Sequence, residues 1–290
     1  MTAALLAVEG RSRRFGGVTA LEGVSFAVSA GENVAIIGPN GAGKTTLFNV
    51  VAGFLAPSAG TVRYRGRSIN GLSPSRIAAA GLIRTFQNLV VFGEMTVLEN
   101  VMVGCHRWTH TGMLANALAL PAARREDGEV AAAARAVLAL VGLAGEAQAA
   151  ARHLPVGRQR LLEIARALAA RPDVLLLDEP AAGLTAEETR HLLRVIGRLR
   201  DEGMTFLVIE HNMDVVMEAA DRVVVLDYGK KIAEGRPAEV QRDARVIAAY
   251  LGDDDDAATA AGKWPAGTRR AEVPASPPRG TGRRDAPSST

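Results

Sequence analysis

A chain of 290 residues with 48% hydrophobic and 22% charged residues has the makeup of a globular protein with ample material for a core. Its net charge of +3 is spread without a long basic patch, which argues against nucleic acid as a partner. A single cysteine, Cys105, leaves no internal disulfide to expect and fits a reducing compartment, and no apolar stretch approaches the roughly 20 residues that span a bilayer.

The start, "MTAALLAVEGRSRRF", has a brief apolar run followed by bases, the reverse of a secretion signal. Short alternating segments come next: "LLAVEG" (5–10), "VSFAV" (24–28) and "TVRYRG" (61–66) predict strands of an antiparallel sheet. Between them "NVAIIG" (33–38) reads as a buried strand entering a glycine-rich turn. A helix from about Lys44 to Ala52 follows, and Gly53, Pro57 and Gly60 break it. From about 73 to 170 the pattern is helical, carried by "SPSRIAAAGL", "TVLENVMVGC", "REDGEVAAAARAVLALVGL" and "RQRLLEIARALAA". The most membrane-like piece, "GMLANALALPAA" (112–123), is too short to cross a bilayer and is broken by Pro121. Strands then return between helices: "VLLLDEP" (174–180), "TFLVIEH" (205–211) and "RVVVLDYG" (222–229), the last leading through a turn at Asp227–Gly229 to a solvated hairpin with Lys230 and Lys231. Strands alternating with helices imply parallel βαβ units, so an α/β core is split by a helical insert. After Gly252 the tail 253–290 holds acid and base blocks, scattered prolines and almost no large apolar residues. It is expected to be disordered, because it cannot bury enough surface to offset chain entropy. The domain expected is 1–252, with a helical subdomain at about 88–168.

The turn "GPNGAGKTT" carries the clearest chemistry. Residues 38–45 match G-x-x-x-x-G-K-[ST] at every fixed position. The chain Gly38, Pro39, Asn40, Gly41, Ala42, Gly43 lets backbone N–H groups point inward around phosphate oxygens, and the following helix adds its dipole. Lys44 would reach the β- and γ-phosphates of a nucleotide, the Thr45 hydroxyl would ligate Mg²⁺, and Thr46 would sit near the α- or β-phosphate. At average residue frequencies the match arises by accident in roughly one chain of this length in a hundred, and its place between strand and helix lowers that further. The metal needs an acid, and "VLLLDEP" supplies Asp178 at the end of a buried strand, where ligands sit in parallel sheets. Glu179 follows as the base that would polarise an attacking water. The plain alternative for Asp178, an acid capping the next helix, loses weight beside the phosphate turn. No N-K-x-D guanine reader is present.

The order of this turn, "TFQN" (85–88), "LPVGRQRLLEIARAL" (154–168), "VLLLDEP", "AAGLT" (181–185) and "IEHNM" (209–213) resembles the ATP-binding subunits of ABC transporters, over about residues 5–252. The resemblance implies a P-loop NTPase core of the ABC cassette type with an antiparallel β subdomain and an inserted helical subdomain. It also implies roles for single residues. Phe15, in "RRFGG", corresponds to the aromatic that stacks on adenine. Gln87 corresponds to the glutamine that touches Mg²⁺ and water and senses the membrane subunit. His211 corresponds to the switch histidine on the γ-phosphate. The signature departs from the usual L-S-G-G-Q: here it reads Leu154, Pro155, Val156, Gly157, Arg158. Pro155 removes a serine hydroxyl, and Gly157 keeps close backbone approach at a helix start. Arg158 either adds positive charge near the phosphate or faces solvent. Thr185 stands where Asp or Asn is usual. The family arrangement implies that the signature of one subunit completes the nucleotide site of another, so that ATP closes a head-to-tail dimer and hydrolysis reopens it. The motion would pass to membrane subunits through the insert around 86–105.

Longer phrases, among them "FGEMTVLENVMVG", "LLLDEPAAGL", "IEHNMDVVMEAADRVVVLDYGKKIAEGRPAEV" and "VIAAYLG", are similar to the LivG-type ATPases of branched-chain amino acid importers. The P-x-G signature also occurs in that type. This resemblance implies ATP and Mg²⁺ as ligands and a second ABC ATPase, two permease subunits and an extracytoplasmic substrate-binding protein as partners. It places the chain at the cytoplasmic face of the cell membrane. The rival readings are the ATPase of a lipopolysaccharide-type exporter and a soluble ABC ATPase acting on ribosomes or DNA. The latter usually carries two cassettes or a long coiled coil, and this chain has neither. Truncation after Gly252 is expected to leave ATPase activity largely unaltered, which a turnover assay on the shortened chain checks.

Overall fold

The computed structural model describes residues 4–85, 90–109 and 121–251. The predicted tail and Gln87 lie outside the described residues. Two sheets organise the chain. The smaller is antiparallel, in the order β2-β1-β4-β5, from β1 (Leu6–Phe15), β2 (Val18–Val28), β4 (Ala59–Tyr64) and β5 (Arg67–Ser68). The larger has the order β10-β9-β3-β8-β7-β6, from β3 (Asn33–Ile37), β6 (Leu82–Arg84), β7 (Val174–Asp178), β8 (Thr205–Ile209), β9 (Arg222–Asp227) and β10 (Lys230–Gly235). All its neighbours run parallel except β10, which turns back on β9 as the predicted hairpin. Lys230 there pairs with Glu22 at 3.4 Å.

"NVAII", "VLLLD" and "TFLVI" are buried at all five positions, the expected signature of parallel strands covered on both faces. Their side chains alternate between layers. Leu175, Leu177, Phe206 and Val208 join the helices on one face. Val174, Leu176, Leu207, Ile209, Val34 and Ile36 face the antiparallel sheet and helix α1 (Lys44–Val51). Ala35 and Ile37 meet a third cluster with Val216 and Val246, on α7 (Met213–Ala219) and α9 (Ala244–Leu251). Six more α-helices are present among the described residues: α2 (Pro74–Ala80), α3 (Val97–Gly104), α4 (Pro121–Leu140), α5 (Val156–Ala169), α6 (Ala186–Asp201) and the short α8 (Pro237–Val240) after β10. Thr96 and Thr185 start α3 and α6 with reciprocal capping boxes to Glu99 and Glu188, as T-x-x-E predicts.

Two expectations need correction. The stretch 73–170 is not wholly helical: Leu82–Arg84 forms the edge strand β6, paired with β7. Three residues are too few to display a period, and only pairing with β7 makes them a strand. The predicted strands are also too short: β1 continues to Phe15 and β2 begins at Val18. Register shifts after Val8 break the alternation there, and inside the irregular part Arg11 is buried with its guanidinium donating to the Gly60 carbonyl at 2.6 Å. Among the described residues no helix is long and apolar enough to cross a membrane.

Candidate functional site

Because β3, β6, β7, β8 and β9 are parallel, the segments leaving their C-terminal ends emerge on one edge of the sheet. The phosphate turn leaves β3 there. Gly38, Gly41 and Gly43 all have positive φ, at 149°, 77° and 98°. A Cβ on Gly38 would stand 2.0 Å from the Leu226 carbonyl, and one on Gly43 would stand 2.5 Å from the Ala20 carbonyl. Only glycine lets the loop lie this close against β9 and β2. The Gly229 amide, in the β9–β10 turn, closes the wall by donating to the Ala42 carbonyl at 3.1 Å. From below, Tyr250 of α9 reaches the Gly38 backbone; burial pushes its phenol up to about 12, with that contact opposing. Lys44 opens α1 and is buried, its Nζ donating to the carbonyls of Gly38 at 2.7 Å and Pro39 at 2.8 Å. The ammonium thus lies folded across its own loop. Asn40 and Gly41 at the loop crest and Thr45 on the first turn of α1 are exposed, and Thr46 beside it is half-buried.

Asp178, the last residue of β7, is 1% exposed. One carboxylate oxygen accepts from Arg84 Nη2 at 2.8 Å; the other, Oδ1, has no hydrogen-bond partner. Burial raises its pKa, opposed by Arg84 and reinforced by neighbouring Glu179. Arg84 sits at the end of β6, and its second arm donates to Asn49 Oδ1 on α1 at 2.6 Å. Its guanidinium also lies within 5.7 Å of the ring centres of Phe48 and Phe54. One cation therefore fastens the phosphate-turn helix to the acid of β7. Arg84 belongs to none of the motifs, although a lone cation inside the apolar "GLIRTF" demands a buried partner.

Glu179 and His211 leave adjacent strands. Asp178 pairs with Ile209 in register, and the Glu179 amide donates to the Ile209 carbonyl at 3.0 Å. Glu179 holds a positive φ of 48°, a conformation that costs a non-glycine residue about 1 kcal/mol or more. Its Oε1 stands 3.8 Å from His211 Nδ1, with both side chains partly open to solvent. Beneath them Glu210, 1% exposed, also escaped the sequence reading. Oε1 accepts from the Ala181 amide at 3.0 Å, and Oε2 from the amides of His211 at 3.1 Å and Asn212 at 3.3 Å. It thus ties the loop after Glu179 to the loop holding His211, and its burial raises its pKa. An acid directly after the apolar run "TFLVI" was the available signal.

Phe15 lies at the β1–β2 tip, 44% exposed, with the Arg13 guanidinium 4.6 Å from its ring centre. The signature stands apart from the phosphate turn. Pro155 occupies the N-cap of α5 without a side-chain hydrogen bond, and Gly157 packs against Glu188 of α6. Arg158 takes the second of its two expected roles: it is exposed, and there it forms an ion pair with Glu146 on the preceding 3₁₀ turn (Ala144–Glu146). Thr185 is accounted for as the cap of α6. The arrangement offers an anion cradle with an ammonium, an unsatisfied carboxylate oxygen, and a carboxylate–imidazole pair on one sheet edge. It can bind a polyphosphate and a hard cation and hold a water against a phosphorus atom.

The family described as "ABC transporter" matches residues 21–182, and that described as "Branched-chain amino acid ATP-binding cassette transporter" matches residues 230–256. The chain is 44% identical to the high-affinity branched-chain amino acid transport ATP-binding protein LivG of Salmonella typhimurium, across 87% of this chain and 100% of the relative. Identity and coverage are the same for BraF of Pseudomonas aeruginosa. It is 35% identical to the probable LivG of Methanocaldococcus jannaschii, covering 87% and 99%. Among solved structures, a nucleotide-free ATP-binding cassette from an ABC transporter superposes with a TM-score of 0.74 at 34% identity, covering 87% of this chain and all of that one. The ADP conformation of such a cassette gives 0.75 at the same identity and coverage.

Removing Arg84 would leave Asp178 buried without its cation. Arg84→Gln is expected to destabilise the fold by about 3–5 kcal/mol, read as a lower midpoint in urea. Arg84→Lys keeps a charge without the two-armed fork and is expected to recover part of the loss.

Proposed function

Because the chain belongs to the ABC transporter family, in its branched-chain amino acid ATP-binding branch, we propose that it is the ATP-hydrolysing subunit of an importer for branched-chain amino acids or related small polar solutes. The observation that carries this reading is the convergence of Lys44, Asp178, Glu179 and His211 at one sheet edge, delivered by the segments that leave three different strands, β3, β7 and β8.

The residues divide the work by chemistry. In the folded turn the Lys44 ammonium is satisfied by two carbonyls, and it swings from them to the β- and γ-phosphates when a stronger anionic acceptor arrives. Backbone N–H groups of the glycine turn, with Thr46, line the phosphate oxygens (Pro39 has none to give), and Phe15 stacks on adenine from its exposed position at the hairpin tip. Mg²⁺, when bound, neutralises charge on the phosphates. The donors present suit it, since the unpartnered Asp178 Oδ1 and the Thr45 hydroxyl are hard oxygens, and this cation takes few protein ligands beside phosphate and water. Gln87 is the proposed third group at that position. Glu179 takes the proton of the attacking water, and His211, 3.8 Å away, holds it in place and faces the γ-phosphate. Gly157 of a second cassette, either a copy or a sister subunit, completes the site from across a dimer.

Two permease subunits and an extracytoplasmic binding protein form the rest of the proposed machine, with this chain peripheral at the cytoplasmic face. The names of its relatives, which specify branched-chain amino acid transport, support that solute class over a lipopolysaccharide. Reconstitution with cognate permeases in vesicles tests this: ATP-dependent accumulation of leucine, isoleucine or valine is expected, and ATP turnover indifferent to permease and solute would overturn it.

Glu179→Gln is expected to keep ATP binding, lower hydrolysis by about 10²–10⁴-fold and trap a dimer on gel filtration. Unchanged turnover would remove Glu179 from its role. Lys44→Ala loses charged hydrogen bonds of roughly 1.5–3 kcal/mol, so affinity for a fluorescent ATP analogue is expected to fall by about one to two orders of magnitude.

A further inference from the structure

The first turn of α5 lacks the cap that helix starts usually have. Pro155 at its N-cap offers no side-chain acceptor, and no acidic residue lies in its own first turn. An acceptor arrives instead from α6. Glu188 directs Oε2 to its own N-cap, accepting from the Thr185 amide and hydroxyl, both at 2.9 Å. Its other oxygen, Oε1, lies so close to Gly157 that a Cβ there would stand 2.2 Å from it, with Cδ at 2.4 Å. Thr185 first, and the Gly157 amide with it, holds this carboxyl below the usual range. Arg158, the cation of the same turn, is drawn to Glu146. The start of α5 therefore meets the surface between two carboxylates, one of them packed against Gly157.

We infer that Glu188 sets the strength of the cross-dimer half of the nucleotide site: its carboxylate occupies the space beside Gly157 into which a partner-bound phosphate would approach, so closure must displace it. This rests on the proposed reading of α5 as the surface that meets the second cassette's nucleotide. A negative side chain facing an incoming polyphosphate opposes association, which keeps the dimer dependent on ATP. The same carboxylate caps α6, so its displacement also loosens Thr185, at the end of the loop that begins two residues after Glu179. Nucleotide arrival at one cassette is thereby felt beside the hydrolytic carboxylate of the other.

Glu188→Gln separates charge from fold, because glutamine also closes a capping box. In the Glu179→Gln background, dimer formation is followed by light scattering as ATP is raised. Glu188→Gln is expected to reach half-dimerisation at roughly fivefold lower ATP, with the ATP-free protein still folded and only slightly less heat-stable, and with the gap narrowing at high salt. Half-dimerisation at the same or higher ATP would overturn the inference alone. If neither protein dimerises at any ATP concentration, the cassette reading falls and takes this inference with it.

Discussion

The parallel register of β3, β8 and β7 is the constraint on which everything else depends. Val34 opposite Leu207, and Asp178 opposite Ile209, bring strand ends from distant parts of the chain to one edge. A one-residue slip would turn every side chain to the other face, sending each into a layer packed for a different residue and removing Asp178 from its cation. The three packed layers leave no such freedom, since alternate residues of the same strand belong to different clusters. The site is precise because the core beneath it is.

Burial of charge is the second theme. Asp178, Glu210, Arg84 and the Arg160–Glu163 pair all lie inside the protein within the elements that carry the site. In a medium of low polarity each must be met by partners, and here the partners belong to different segments. Arg84 spans α1 and β7, and Glu210 spans the segments after β7 and β8. Such contacts add little net stability compared with apolar substitutes, but they tolerate few alternative arrangements. They fix the distances between groups that must act together.

Much of this was legible from residue order. The glycine turn, the acid pair of "VLLLDEP" and the histidine of "IEHNM" stand out because their neighbours are apolar runs with a clear strand character. The helix starts at Thr96 and Thr185 were equally open to reading through T-x-x-E. What stayed hidden depends on pairing across the chain. β6 becomes a strand only against β7, and the irregular half of β1 follows from bulges that erase alternation. Arg158 had two plausible orientations until Glu146, twelve positions earlier, proved to be its neighbour. Arg84 and Glu210 announced themselves only as charges in apolar surroundings, a signal that says a partner exists without saying which.

The walls of the phosphate turn come from far along the polypeptide. Residues 38–43 rest on Leu226 and Gly229, and Tyr250 supports Gly38 from a helix that begins at Ala244. A ribosome releases the loop long before it releases these supports. The nascent cassette thus carries its most recognisable segment for most of its synthesis without the surroundings that shape it. The shape of the turn is therefore a property of the finished chain, since its supports come from the last strands and helix of the domain.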